Sequence, residues 1–266
     1  MGNSLLLICA LTLVIHAAET LGYAVRLAGI RSGKLAVALS LTGIIVLVSR
    51  TSNLAQGPLT GGLIDAAKKG TGIPLQTEFH LILAAASIGT ILSIVLFPTM
   101  VFVFMRLVAH LEIAGSIPAL VKQSVSIDKL KRIKRKVRMP RVEMLMRLRV
   151  GGIPKRLLVL NTAVTGIYTV GVLSSLYASY LVPAHALAAS QSSGLINGIA
   201  TILLTIFIDP RVALLSDKAM AGKVRTSEMN KMFGLLMLSR LAGTVLAQLL
   251  LLPGAAVIAW WVSWLA

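Results

Sequence analysis

Six apolar runs, each long enough to cross a lipid bilayer, divide this chain: roughly 4 to 26, 35 to 56, 79 to 109, 157 to 182, 186 to 208 and 232 to 265. A hydrocarbon core of about 30 Å takes about 20 apolar residues of helix to span. Inside it, backbone amides must be satisfied within a helix or within a closed barrel. Barrel strands would be about 10 residues long with alternating polarity, whereas these runs are continuous, so helices are the consistent reading. The expectation is an all-α polytopic integral membrane protein with about six transmembrane helices, organised as a single transmembrane domain over residues 1–266. Apolar residues at 56% and a mean hydropathy of +0.87 place the chain far from a soluble domain. The first run lacks the basic region of a signal peptide and leads into Arg26, Arg31 and Lys34, so it reads as a retained helix.

The net charge of +17 would suit nucleic acid in a soluble protein, but here the basic residues form islands between spans. No nucleic-acid partner is expected. Arg26, Arg31 and Lys34 lie in the first connection, thirteen basic residues from Lys122 to Arg156 in the third, and Arg211, Lys218, Lys223, Arg225 and Lys231 in the fifth. The second connection holds only Lys68 and Lys69. Positive charge collects on the cytoplasmic side, so both termini are expected outside and the basic loop of about 110–156 inside. Within that loop, KLKRIKRKVRMPRVEMLMRLR at 129–149 spaces apolar residues for short amphipathic helices on either side of Pro140. Such helices would lie on anionic membrane lipids. They serve either as a topology anchor or as a surface that collects an anionic lipid. The stretch GPLTGGLIDAAKKGTGIP at 57–74 reads as a loop, with re-entry into the membrane as the alternative. Pro253 and Gly254 lie where the last run can kink or end, followed by Trp260, Trp261 and Trp264 as an interfacial anchor.

Ionisable groups inside the spans cost about 3 kcal/mol each on insertion scales, which makes each a functional question. Thr12, His16, Glu19, Tyr23 and Arg26 follow at steps of four and three and share one face of the first helix. Counted from the run ends, Glu19 falls in the inner third and Arg240 about 12 Å from the inner face, which lets the two pair. Arg50 falls about 22 Å from the inner face, in the outer third, with Asp65 as its acidic candidate. Arg106 is near a helix end, where it can snorkel. Ser190, Gly194, Asn197, Thr201 and Thr205 form a weakly polar stripe that suits helix-to-helix hydrogen bonding. His16 beside Glu19 reads as a packing partner, with proton coupling through the two as the sharper alternative.

Enzyme chemistry has little to stand on. The chain has no HExxH, no GxSxG and no P-loop, and its acidic residues do not pair closely within the spans. Cys9 is the only cysteine, and His80, His110 and His185 show no ligand spacing, so no cofactor or metal is expected. What remains is inward arginine at several depths over a basic inner surface, an arrangement that can hold the phosphates of a lipid-linked substrate whose tail stays in the bilayer.

The segment ETLGYAVRLAGIRSGKLAVALSLTGIIVLVSRTSNLAQGPLTGGLID, Glu19 to Asp65, resembles the Amj family of bacterial lipid II flippases, alternates to MurJ. The resemblance is carried by Glu19-Thr20-Leu21 with Tyr23, Arg26-Leu27 with Gly29, Ser40, Ser49-Arg50-Thr51, Pro58 and Asp65. It implies a multi-pass protein of the bacterial cytoplasmic membrane that moves undecaprenyl-pyrophosphate-linked peptidoglycan precursor from the inner to the outer leaflet, with no catalytic residues. The candidate substrate-binding residues come from the charge argument alone. Arg26 and Arg240 meet the pyrophosphate from the inner side and Arg50 receives it toward the outer side. Glu19 holds the arginines, and Tyr23 lies on the same face. A non-transporting scaffold for envelope enzymes and a small-anion transporter remain the other readings, and the sequence leaves a homo-oligomer open.

Overall fold

The structure is a computed structural model that describes residues 2–115 and 153–265. Its described elements are α1 (Gly2–Ser32), α2 (Leu35–Lys68), α3 (Leu75–Ala114), α4 (Lys155–Leu181), a short 3-10 turn (Pro183–His185), α5 (Ala186–Leu203), a π-helical segment (Leu204–Ile208), α6 (Asp209–Met220) and α7 (Thr226–Leu265). Among the described residues six segments are long and apolar enough to cross a membrane, with α5, the π segment and α6 acting as one continuous span. This is a multi-pass, all-helical membrane protein. An even number of crossings returns both termini to one side. The opposite face, where α1 ends and α2 and α7 begin, is called inner here after its basic residues.

The helices outrun the apolar segments that announce them. Residues 57–68, expected in a loop, continue α2 straight through Pro58. Leu63, Ile64 and Ala67 are buried there against Ile8, Leu75 and Phe79, and this packing outweighs the helix-weakening glycines. Neither the loop nor a re-entrant segment forms, and only residues 69–74 connect α2 to α3. The fifth span likewise runs past 208 to Met220, and α7 runs through Pro253 to Leu265. The three tryptophans near its end are exposed, as an interfacial anchor requires. The amphipathic helices expected at 129–149 lie outside the described residues.

The bundle is ordered by its neighbours. α1 packs chiefly on α3 and α2, α7 on α4 and α3, and α4 on α5. Two large apolar clusters result. The inner one contains Leu27, Val101, Phe104, Leu157, Phe233 and Leu236, and the outer one Ile8, Ile64, Phe79, Leu83, Leu173 and Leu251. Lipid tails are as apolar as these side chains, so close van der Waals contact and interhelical hydrogen bonds have to supply the association. Small residues permit that contact. A Cβ on Gly89 of α3 would overlap the Leu13 carbonyl of α1, and one on Gly243 of α7 would stand 2.6 Å from Thr165 Cβ of α4. Hydrogen bonds stitch the same seams. Asn161 Nδ2 donates to Ser239 Oγ (2.7 Å) and to the Leu236 carbonyl (3.0 Å), Ser93 Oγ donates to the Ala17 carbonyl (2.9 Å), and Gln248 Nε2 donates to the His80 carbonyl (3.1 Å).

At the inner end, Arg31 reaches Asn230 (2.9 Å) and Lys34 pairs with Glu112, tying the α1 to α2 turn to α7 and α3. Arg106 is exposed over the Phe102 ring at 4.4 Å, which fits a side chain reaching for headgroups.

Gly89→Leu and Gly243→Leu are expected to lower the unfolding midpoint in detergent sharply, each costing about 1–3 kcal/mol or more by overpacking. Gly194→Leu, with nothing within 4 Å of its added Cβ, should leave it within error. A thermal unfolding series on the three purified variants checks this.

Candidate functional site

Between the two apolar clusters lies a polar waist, and Glu19 is its centre. Its carboxylate pairs with Arg240 of α7 through Oε2, and its Oε1 accepts hydrogen bonds from Ser49 Oγ of α2 (3.0 Å) and Tyr168 OH of α4 (3.4 Å). One acidic group therefore joins α1, α2, α4 and α7. The pair expected from the depths of Glu19 and Arg240 is formed, with the two side chains only 18% and 10% exposed. At that burial, desolvation is offset only when the carboxylate is fully hydrogen-bonded, which explains why three helices supply donors to it.

Below this pair, a cavity of about 270 Å³ opens toward the inner half of the bundle. Arg26, Arg50, Arg240, Glu19 and Tyr23 all line it. His16 does not. It is buried beside α1's neighbours, and its Nδ1 has no partner among the described residues. Tyr23 lies against Phe233, ring centroids 5.9 Å apart. α1 provides the polar face, α2 adds Thr42, Ile45, Val46 and Arg50, and α4 adds Val164, Thr165 and Tyr168. Ala200 and Thr201 of α5, Leu204 and Ile208 of the π segment, and Asp209 and Val212 of α6 close the other side. Val46, Arg50 and Thr201 are exposed. α2 packs mainly on α1 and α5 mainly on α4, so the cavity opens sideways between α2 and α5.

The helix ends correct the depth estimates. Glu19 lies 13 residues before Ser32, Arg50 15 after Leu35 and Arg240 14 after Thr226, which at about 1.5 Å per residue puts all three about 20–22 Å from the inner end. Arg50 is thus level with Glu19, not a station above it. Arg50 keeps the height expected for it, and Glu19 and Arg240 move up to meet it, because α1 runs on to Ser32 and α7 begins at Thr226, each beyond the end of its apolar run; α2 runs to Lys68, which makes Arg50 a mid-helix residue. Asp65 is 15 residues along the same helix, about 22 Å away, and cannot serve as the counter-ion of Arg50. The three arginines consequently differ in state. Arg240 is bound to Glu19, Arg26 to Asp209 at 3.4 Å, and Arg50 forms no ion pair among the described residues.

Asp209 and Tyr168 are the lining residues that sequence reasoning missed. Asp209 directly follows the fifth apolar run and precedes Pro210, so it read as the start of the inner connection. The stripe on the fifth span also divides. Asn197 faces α4, where its Oδ1 lies 2.7 Å from a Cβ built on Gly171, while Gly194 and Thr205 are exposed and Thr201 joins the cavity. Thr244 and Gln248 of α7 turn to α3, where Ser87 Oγ donates to Thr244 Oγ1 (3.1 Å) and His80 Nδ1 lies 2.6 Å from Gln248 Oε1. They are seam residues and do not extend the site. Among the described residues no group of three or more histidine, cysteine or acidic side chains is placed to hold a metal.

The family model for Amj, described as Alternate to MurJ, matches residues 11–262. The chain belongs to the Amj family. A curated relative, the "Lipid II flippase Amj" of Bacillus subtilis (strain 168), is 42% identical over 263 residues, covering 98% of this chain and 98% of the relative. No solved structure matches the chain. The likeness to Amj read from Glu19 to Asp65 therefore extends over nearly the whole length, so Tyr168, Asp209 and Arg240 belong to the matched region as fully as Glu19 and Arg50 do.

Removing one partner of the waist leaves the other buried and charged. Glu19→Gln and Arg240→Met are each expected to cost about 3–5 kcal/mol of stability, while the double variant Glu19→Gln with Arg240→Met should recover part of that loss. Unfolding midpoints of the four proteins in one detergent read the coupling, and purely additive losses would remove the pair from its central place.

Proposed function

We propose that this chain is a lipid II flippase of the bacterial cytoplasmic membrane, moving the undecaprenyl-pyrophosphate-linked peptidoglycan precursor from the inner to the outer leaflet for cell wall synthesis. Its 42% identical relative carries that name, and the name is that of a transporter and not an enzyme. The observation that carries the reading here is Arg50. It sits at mid-height of the bundle, exposed to a laterally open cavity, with no acidic partner among the described residues. A lone arginine at that depth costs about 2.5–3.5 kcal/mol on insertion scales. An anion entering from the side, with its tail in lipid, offsets that cost through charge-assisted hydrogen bonds.

Cavity size narrows what is held. About 270 Å³ lies below the roughly 300–1,000 Å³ typical of sites that enclose a drug-sized molecule. A pyrophosphate fits, whereas the sugar and peptide parts of the precursor do not. The cavity therefore grips the pyrophosphate through Arg26 and Arg50, with Tyr23 as an additional donor, and Arg240 joins them when Glu19 releases it. The polyprenyl chain leaves between α2 and α5. Arg26 is nearer the inner end and receives the anion first, and Arg50 takes it at mid-height. Both termini lie outside in this orientation.

Glu19 is the point at which transport can couple to protons. His16 lies one turn toward the termini on the same face of α1, and protonating Glu19 would release Arg240 to the substrate.

Arg50→Gln should insert at normal levels yet slow lipid II exposure in reconstituted vesicles by about tenfold or more, the worth of a charge-assisted hydrogen bond. It should also fail to support growth when the cell's MurJ-type flippase is depleted. Arg106→Gln should pass both assays. Growth on Arg50→Gln at normal protein levels would favour a scaffold, and uptake of a soluble anion without lipid II exposure would favour a small-anion transporter.

A further inference from the structure

Asp209 is the one carboxylate in the cavity that faces a substrate-accessible arginine. Its Oδ1 lies 3.4 Å from Arg26 Nη2, with the two side chains 38% and 26% exposed. The local sequence explains how it gets there. Pro210 has no amide hydrogen, and its ring crowds the carbonyl four residues earlier. The helix responds with the π segment Leu204–Ile208, a wider turn that carries Asp209 and Val212 onto the cavity wall. The contrast with Glu19 is sharp. Glu19 is held by donors from three helices, whereas Asp209 makes one long contact to one partner among the described residues. An ion pair this exposed contributes little and is readily exchanged, while a pyrophosphate can meet a guanidinium through two parallel bonds.

We propose that Asp209 is an internal competitor for Arg26: it occupies the guanidinium when the cavity is empty, yields to the pyrophosphate on entry, and returns to expel it toward Arg50. The proposal rests on the reading of the cavity as a pyrophosphate site. Without such a competitor, Arg26 would hold the anion at the inner end and slow its transfer. Asp209 is on this account a positioning residue that sets how briefly Arg26 keeps the substrate. Its removal should therefore tighten binding while slowing transport, a split that loss of a merely structural contact does not produce.

The test titrates the purified full-length chain in lipid nanodiscs with undecaprenyl diphosphate by native mass spectrometry and measures lipid II exposure in vesicles in parallel. Asp209→Asn, nearly the same shape, should bind about two- to fivefold more tightly, the competition a partly exposed ion pair can exert, and should flip more slowly. Asp209→Glu should restore both values toward wild type. Arg26→Gln should weaken binding, and adding Asp209→Asn to it should change nothing further. Weaker or unchanged binding in Asp209→Asn at wild-type thermal stability overturns the proposal, as does tightening that persists without Arg26. If Arg50→Gln loses binding while Asp209→Asn is silent, the competitor fails and the pyrophosphate site stands. If the wild-type chain binds no undecaprenyl diphosphate, both fall.

Discussion

The rest of the bundle depends on how Glu19 is satisfied. A carboxylate at mid-height in a membrane protein survives only with its charge matched and its lone pairs occupied. Here Arg240, Ser49 and Tyr168 provide that from three other helices. Association in lipid lacks the hydrophobic driving force that water supplies, so such a hub defines which faces of α1, α2, α4 and α7 meet. It also sets the rotation of α1. With Glu19 turned toward α7, the positions four and seven residues further on, Tyr23 and Arg26, come round to the cavity.

Apolar packing above and below isolates this polar layer. The inner cluster around Phe233 and Leu236 and the outer one around Phe79 and Leu251 leave the waist as the level where polar groups gather. Along the cavity the cations are graded: Arg240 is buried and bound, Arg26 is partly exposed and loosely bound, and Arg50 is exposed and unpaired among the described residues. With three arginines against Glu19 and Asp209, the cavity keeps a net positive charge. Low-dielectric walls strengthen that field, which favours an anion that brings its own apolar tail.

Much of this is legible in the sequence. The six spans follow from apolar length, because lipid offers the backbone no other partner. The Glu19 and Arg240 pair follows from their equal depth, although both stand further from the inner face than the ends of the apolar runs put them. The stripe from Thr12 to Arg26 follows from helical period. What misled was the end of each helix. GPLTGGLIDAAKK carries the composition of a turn, yet Leu63, Ile64 and Ala67 have partners on α1 and α3 that a window of sequence cannot see. That misreading put Arg50 in the outer third of a shortened span and offered it Asp65, which it cannot reach, while the early ends given to α1 and α7 set Glu19 and Arg240 too near the inner face. Asp209 was hidden for a related reason, because an Asp-Pro step after an apolar run resembles an exit from the membrane. The π segment instead turns it inward.

Sequence alone determined that the chain lives in a bilayer, how many times it crosses, and which residue types it keeps there at a cost, because those properties depend on length, polarity and charge read locally. Only the tertiary structure decided that Arg26 is met by Asp209 and that Arg50 has no ion-pair partner among the described residues. Pairing depends on the rotation and relative height of helices far apart in the chain, set here by contacts such as Gly89 on Leu13 and Gly243 on Thr165. That difference separates Arg240, whose charge is held by Glu19, from Arg50, whose charge is open to a ligand.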